Sequence, residues 1–569
     1  MRLPRFLTFA TTGLILAGLR PASPRLDAQS PGPVALGGVV SSQAEGKMEG
    51  VLVTARREGA RFSVTVVSDS QGRYGFPRAH LDAGTYAVRV RAAGYDLADP
   101  GPVTVKANTA GSVDLQLLPA RDLASQLSSL EWFTSLPGTS EQKRLLVRQS
   151  HSCVFCHTFE RIARSRHTAS EWPAVIQRMG TYNSDHSGLV RRQKFRPAAA
   201  VEGATPQGPP ARWGSAPVDQ LAEYLASINL SRSQTWSYPL KTLPRPKGAA
   251  TRVIVTQYDP PRFPDTVIHD MDVDAKGNAW YGDTGWDVIG KLDPKTATFT
   301  EYPMPNFQPE PAETHGILDV QVDSDGNPWP AIRGSKLARF DVTNGKWTTF
   351  DLPKFERLGR YGVLFIAPFH GRNTDIVWAN GTGGKIYRLD LRTGTADLTD
   401  VAEKMPGHGS YMVERDSHDN AYFTDPPGSS IGRIDAKTGE LKLVKTPTPD
   451  AFPRRGYMDG QDRFWFSEFL VDKIGMFDTR TERFQEFTVP VEYITPYYAR
   501  PDRNGDVWTS SQGSDRLLRL NPKTGETLQY LMPSYYDARK VVVDPSTDRV
   551  TVWLPNKNTG QIIRVQPLD

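Results

Sequence analysis

The stretch "DGQDRFWFSEFLVDKIGMFDTRTERFQEFTVP", residues 459–490, is one unit of a repeat. It reads as a turn, a strand centred on Trp465, a turn at "LVD", a strand ending at Asp478, a turn at "TRTE" and a last strand. Working outward, the central aromatic recurs as Trp280, Trp329, Trp378, Tyr422, Trp465, Trp508 and Trp553, at spacings of 49, 49, 44, 43, 43 and 45 residues. A second marker follows each of the first six, in the forms "GKLDPKT", "ARFDVTNG", "YRLDLRTG", "GRIDAKTG", "GMFDTRTE" and "LRLNPKTG". A period in the forties with several short strands per unit predicts a seven-bladed β-propeller over residues 251–569. The last unit ends at "GQIIRVQPLD", one strand short, and "TRVIVTQYDP" at 251–260 reads as the missing strand. Pairing first with last removes the open edge.

Upstream, residues 34–119 alternate apolar and polar positions between turns, in "VALGGVV", "GVLVTARR", "RFSVTVVSD", "GTYAVRVRAAGY" and "SVDLQLLP". This pattern predicts a small β-sandwich. The run "VVSDSQGRYGFPRAHLDAGTYAVRVRAAGY" resembles the carboxypeptidase regulatory-like (transthyretin-like) domain. That resemblance implies a non-catalytic accessory or surface-binding module.

Residues 120–235 are of another kind. "TSEQKRLLVRQSH", "TASEWPAVIQRMGTY" and "APVDQLAEYLASINL" carry helix formers, N-cap residues and, in the last, an apolar face of Leu221, Tyr224, Leu225 and Ile228. A polar, Pro/Gly-rich loop near 184–216 separates the last two, and residues 236–250 read as a linker. The chain is therefore expected to be multidomain and mainly β, with a small all-α domain between sandwich and propeller.

That helical segment holds the only two cysteines, Cys153 and Cys156, followed by His157 in "SHSCVFCHTF". A disulfide across two residues is strained. A zinc site wants two further ligands at motif spacing, and a redox dithiol wants a βαβ setting. The C-x-x-C-H order fits covalent haem c, two thiols taking the vinyl groups and His157 binding iron. The flanking helices resemble a class I cytochrome c domain. The resemblance implies Met179 as the second iron ligand, with His167 and His186 as competitors.

The N-terminus reads as an export signal over residues 1–28, with Arg2 and Arg5 before an apolar run from Phe6 to Leu19, too short to span a bilayer. Periplasmic or extracellular location follows, and no later transmembrane run is found. Removing the signal lowers the formal charge from +5 to +2, which gives no reason to expect nucleic-acid binding.

The blades from residue 252 onward resemble virginiamycin B lyase (streptogramin lyase). The resemblance implies elimination chemistry with a His base and acidic side chains holding Mg²⁺, the His opening an inner strand and a Glu following fourteen residues later. At those positions the sixth blade carries Tyr497 and Ser511, whereas the first carries His269 and Asp283. Asp425 and Glu468 fill the acidic position in the fourth and fifth blades, and His315 and His408 stand just before their inner strands. A cluster of His269, Asp283, His315, His408, Asp425 and Glu468 at one mouth is expected to act in acid–base or metal chemistry, with Asp425 and Glu468 as the Mg²⁺ ligands. His370 and His418 read as surface residues. Three functions are compatible with these features. The favoured one is an exported haem protein that binds a small-molecule or polymer substrate on the propeller and passes electrons to a redox partner protein. The others are a Mg²⁺-dependent C–O lyase and a non-catalytic carbohydrate- or protein-binding surface protein.

Overall fold

The computed structural model describes residues 32–154, 157–181, 218–284, 288–305, 317–332, 336–353, 363–371 and 375–569, together with residues 1 and 286. The signal segment, Cys156, His186 and His315 lie outside the described residues, as does most of the long loop of the helical segment.

Seven blades follow one another around a ring. Their inner strands are Ile268–Val273, Ile317–Val322, Val363–Ile366, Met412–Arg415, Pro453–Met458, Pro496–Pro501 and the short Val542–Val543. Inner strands of successive blades touch from the first blade to the sixth, and the first blade meets the seventh. The reason for the sequence repeat is visible in the first hairpin of the blades. In the turn before the aromatic, an aspartate accepts hydrogen bonds from the backbone N–H groups two and four residues on, as Asp459 does from Gln461 and Arg463. Its other oxygen accepts from the indole: Trp280 on Asp274, Trp329 on Asp323, Trp465 on Asp459, Trp508 on Asp502 and Trp553 on Asp544, all at 2.8–3.1 Å. One carboxylate thus fixes a turn and satisfies a buried N–H. Trp378 donates instead to the backbone carbonyl of Asp419 in the next blade.

The strand Val253–Tyr258 closes the ring by pairing antiparallel with the final strand Gln561–Pro567, from Val253 opposite Pro567 to Tyr258 opposite Ile562. Its other edge is not exposed. It pairs antiparallel with the sandwich strand Phe62–Val67, Val255 opposite Thr65 and Tyr258 opposite Phe62. The seventh blade and half of the N-terminal β domain therefore form one eight-stranded sheet.

The middle segment is helical: α1 (Ser129–Ser135), α2 (Ser140–Cys153), α3 (Glu160–Ala163), α4 (Trp172–Thr181) and α5 (Val218–Ile228). Ser128 and Glu131 form a reciprocal capping box at the start of α1. Trp132, Phe133, Phe159, Leu221 and Leu225 share one apolar cluster with Val489, Ile494, Val507 and Leu518 of the propeller. The helices are thus seated on blades five and six. The expected linker is an ordered strap. Leu243 N–H donates to Glu131, Arg245 pairs with Glu45, and the Pro244 carbonyl accepts from Arg516. Gly50, at φ +77°, lets the strap pass: a Cβ there would lie 2.2 Å from the Pro246 carbonyl oxygen. Among the described residues no helix is long and apolar enough to cross a membrane.

Candidate functional site

Strand alternation puts the turn between second and third strands, and the connection into each first strand, at one end of the ring. That end is the mouth. The blade aromatics pair with Asp272, Gln321, Ala367, Glu414, Tyr457, Arg500 and Val542 on the inner strands. Three residues nearer the mouth stand His269, Leu318, Leu364, Tyr411, Arg454, Tyr497 and Arg539, one per blade. These form the mouth ring, and from the fourth blade round to the first it is polar.

The arc is tightly connected. The Tyr411 and Tyr497 hydroxyls are hydrogen-bonded to each other, and Arg539 donates to the Tyr497 oxygen at 3.1 Å. The Arg454 guanidinium, 4% exposed, lies 4.7–5.2 Å from the ring centres of Phe469, Tyr411, Phe452 and Tyr497. Burial pushes the Tyr497 phenol up, but Arg539, Arg454 and the hydrogen bond from Tyr411 outweigh it and hold the phenol below its ordinary value. Burial raises Tyr411, and the field of Tyr497 adds to that.

One residue deeper, the charges are paired. Arg455 makes a bidentate pair with Asp270 at 2.8 and 2.7 Å, and Lys540 meets Asp319 at 2.9 Å. Arg539 turns its other nitrogens to Asp537 at 2.7 and 2.8 Å. Such pairs survive burial because each charge has a partner and further hydrogen bonds.

The residues expected to cluster part company here. His269 is in the ring, its Nδ1 3.2 Å from Asp270, and burial lowers its affinity for a proton. Asp283 is turned away to a salt bridge with Arg262 at 3.1 Å and to the Val267 N–H. His408 and Asp425 do meet, Nδ1 to Oδ2 at 2.5 Å, and Asp425 also accepts from the Gly409 and Gly428 N–H groups. A Cβ on Gly428 would fall 2.2 Å from both partners, so this pair fills the turn as a cap. Glu468 is fully buried, and its carboxyl oxygens have no hydrogen-bond partner. Burial, and then the nearby Glu486, push its pKa up to about 8, against a lowering by Lys473. Among the described residues no three His, Cys, Asp or Glu side chains gather to hold a metal ion. Strand-end acidic groups face the inter-blade turns rather than the axis, and this scatters the expected set. His370 is not a surface residue: its Nε2 lies 3.1 Å from buried Glu414.

Arg454, Arg539 and Tyr411 were not singled out by sequence reasoning. The signal was present: His269, Leu318, Tyr411, Arg454 and Tyr497 each stand eleven residues before their blade aromatic. In blades three and seven the first hairpin loop is longer, which moves the equivalent residue to fourteen.

The helix that leads into the C-x-x-C-H segment, and Val154 within that segment, lie at this same mouth. α2 crosses blades five and six, with Arg144 donating to the Leu470 carbonyl and Arg148 facing Asp450 at 3.3 Å. At its C-terminal end the Val154 carbonyl accepts from the Tyr535 hydroxyl at 3.0 Å, and Leu130 N–H donates to the Gly513 carbonyl. Tyr535 is separated from the ring residue Arg539 by three residues. His157 is half-buried with Nδ1 2.8 Å from the Thr158 carbonyl, and Met179 on α4 is 42% exposed.

The fold and this mouth define a seven-bladed propeller bearing a β domain and a helical module. Residues 320–565 match the virginiamycin B lyase family, and residues 35–118 match the carboxypeptidase regulatory-like domain. No curated protein matches the chain. Similar solved structures include virginiamycin B lyase from Staphylococcus aureus, at 21% identity over 53% of this chain and 95% of that one, TM-score 0.44. A streptogramin B lyase is similar at 21% identity over 55% and 97%, TM-score 0.47. The β-propeller domain of Cps50 (Swd1) from Myceliophteria thermophila is similar at 12% identity over 53% and 97%, TM-score 0.43. Sheet order, not these likenesses, makes the region a propeller.

Proposed function

We propose that the chain is an exported c-type haem protein of the periplasm or cell exterior, whose propeller mouth binds a substrate beside the haem and whose helical module is cytochrome c-like. The observation that carries this reading is the seat of the C-x-x-C-H segment on the mouth, through Val154, Gly513 and Tyr535.

The described residues of the segment are compatible with the group. Cys153 ends α2 and His157 follows four residues on. The Thr158 carbonyl beside Nδ1 favours the tautomer in which Nε2 would be the iron-binding nitrogen, the usual outer-shell arrangement for a ligating imidazole. Cys153 and Cys156 would hold haem c covalently, and His157 and Met179 would bind its iron. Bound there, haem supplies one-electron transfer to a partner protein. The chain's own part is positional: Tyr535 and Gly513 hold the segment against the rim, and the mouth ring holds the substrate.

The test is the absorption spectrum of protein made in a host that attaches haem c. A Soret band that persists through denaturation, and that Cys153→Ala abolishes, is expected. Its absence overturns the reading. The family match at 320–565 favours lyase chemistry as the second reading. Linearisation of a cyclic depsipeptide with Mg²⁺, lost in His269→Ala, would select it.

A further inference from the structure

We infer that the floor of the propeller's central channel, where Glu414, Tyr498 and Arg500 gather, binds a small planar oxyanion of single negative charge, of the class of nitrate and formate. This site lies beyond the mouth and requires neither the haem nor a substrate there.

Placement is the first argument. Glu414, Tyr457 and Arg500 stand opposite the aromatics of blades four, five and six, one residue short of the far end of each inner strand. Tyr498 lies two residues nearer the mouth than Arg500 on the same strand, so both side chains leave one face of the sheet. The group is close-knit. The Arg500 guanidinium lies 4.1 Å from the centre of the Tyr457 ring, and Glu414, Arg500 and Tyr457 all act on the Tyr498 phenol. His370, Tyr457 and Arg500 are half-buried, so the floor opens at the end of the channel away from the mouth.

Bonding is the second argument. The Tyr498 hydroxyl, Glu414 Oε1 and Arg455 Nε are fully buried and have no hydrogen-bond partner among the described residues. Among the same residues Arg500 enters no hydrogen bond or ion pair and rests on the Tyr457 face. The other Glu414 oxygen is engaged, with the Met458 N–H at 3.3 Å and His370 Nε2 at 3.1 Å. Burial raises the Glu414 carboxyl and the Tyr498 phenol well above their ordinary values, outweighing the opposing field of Arg500, so both are held towards their protonated forms. In those forms both are donors. Buried donors with nothing to receive them are unfavourable, and several in one place call for an acceptor.

The donors also set the ligand's class. Arg455 and Lys540 are already paired with Asp270 and Asp319, which leaves the charge of Arg500 to be met. Asp272 acts on Arg500 from the first blade, but its oxygens accept from the Val273 and Val322 N–H groups at 2.9 and 3.0 Å. That second carboxylate disfavours a dianion. A guanidinium fork takes two oxygens lying in its own plane, which selects a flat oxyanion over a halide.

Calorimetry of the full chain with sodium nitrate and sodium formate, against sodium chloride and sodium sulfate at matched ionic strength, tests this. Nitrate or formate should bind at least about tenfold more tightly than either control, and the tighter of the two marks the source as inorganic or organic. Arg500→Gln should remove the difference, and Arg500→Lys, which keeps the charge without the fork, should restore part of it. Tyr498→Phe should weaken binding about tenfold, yet in anion-free buffer it should melt no lower than the parent, because the hydroxyl it removes has no partner in the fold. Cys153→Ala should bind as the parent does, which separates this site from a haem iron. Absence of binding, affinity equal to that of chloride, or heat that disappears with Cys153 overturns the inference, and the floor then holds water only. A Tyr498→Phe protein that melts lower in anion-free buffer overturns it as well, since the hydroxyl would then serve the fold.

Discussion

At the scale of single residues, the buried acids divide into those whose charge is met and those held neutral. Asp270 is the first kind: burial raises it, but Arg455 and His269 more than reverse that and hold it far below the usual carboxylate range. Glu468 is the second. Its folded pKa of about 8 exceeds the ordinary 4.5, so the native protein keeps a proton that the unfolded chain releases. The sign follows directly. This group costs nothing below about pH 4 and costs progressively more as pH rises towards 8, on the order of 4 kcal/mol at the upper end. Glu468→Gln, which cannot ionise, should melt higher than the parent at pH 8 and show little difference at pH 4.5. Thermal melts across that range check it, and a gap that fails to widen with pH refutes it. The sequence showed an acid in the position of the family's metal ligands. It did not show that Lys473, the cation acting on this side chain, is itself paired with Glu486, because that depends on how the strands place their side chains.

At the scale of elements, the hairpin carrying the blade aromatic was legible in the first, second, fifth and sixth blades because one carboxylate, one turn and one indole are written within seven residues. The mouth ring was half legible. Its His269 and Tyr497 could be found from the spacing to the blade aromatic, whereas Arg539 is displaced by a longer hairpin loop that pattern alone does not locate. The pairing of Val253–Tyr258 with Gln561–Pro567 was also readable, since a strand was missing at one end and spare at the other. Its second partner, Phe62–Val67, was not, because alternation marks a strand's faces and says nothing of its edges. That hidden edge makes a strong prediction. Thr65 is fully buried and sits opposite Val255 in the interior of the joint sheet. Thr65→Pro should cost about 3 kcal/mol or more, a loss expected of a central strand and not of a peripheral sandwich edge. Chemical denaturation measures it; a cost below about 1 kcal/mol would mean that the edge is dispensable.

At the scale of the molecule, three modules that read as beads on a string are joined through the fifth, sixth and seventh blades. The sandwich shares a sheet with the seventh, and Arg91 reaches from it to Asp515 and the Met532 carbonyl of the sixth. The helices share an apolar cluster with blades five and six. Modules tied by backbone ladders and a common core lose their independence. Differential scanning calorimetry should therefore give one endotherm for sandwich and propeller together. Two resolved transitions, with the earlier one removed by deleting residues 34–119, would show separate units.

The strand Val253–Tyr258 has a consequence for the order of assembly. Chains emerge N-terminus first, so this strand and Phe62–Val67 are both available long before Gln561–Pro567 is made. One edge can be occupied early, by the β domain, while the other waits for the last strand of all. The N-terminal domain can then serve as the jig on which ring closure is completed: it holds the receiving strand extended and in register until the tail of the chain arrives.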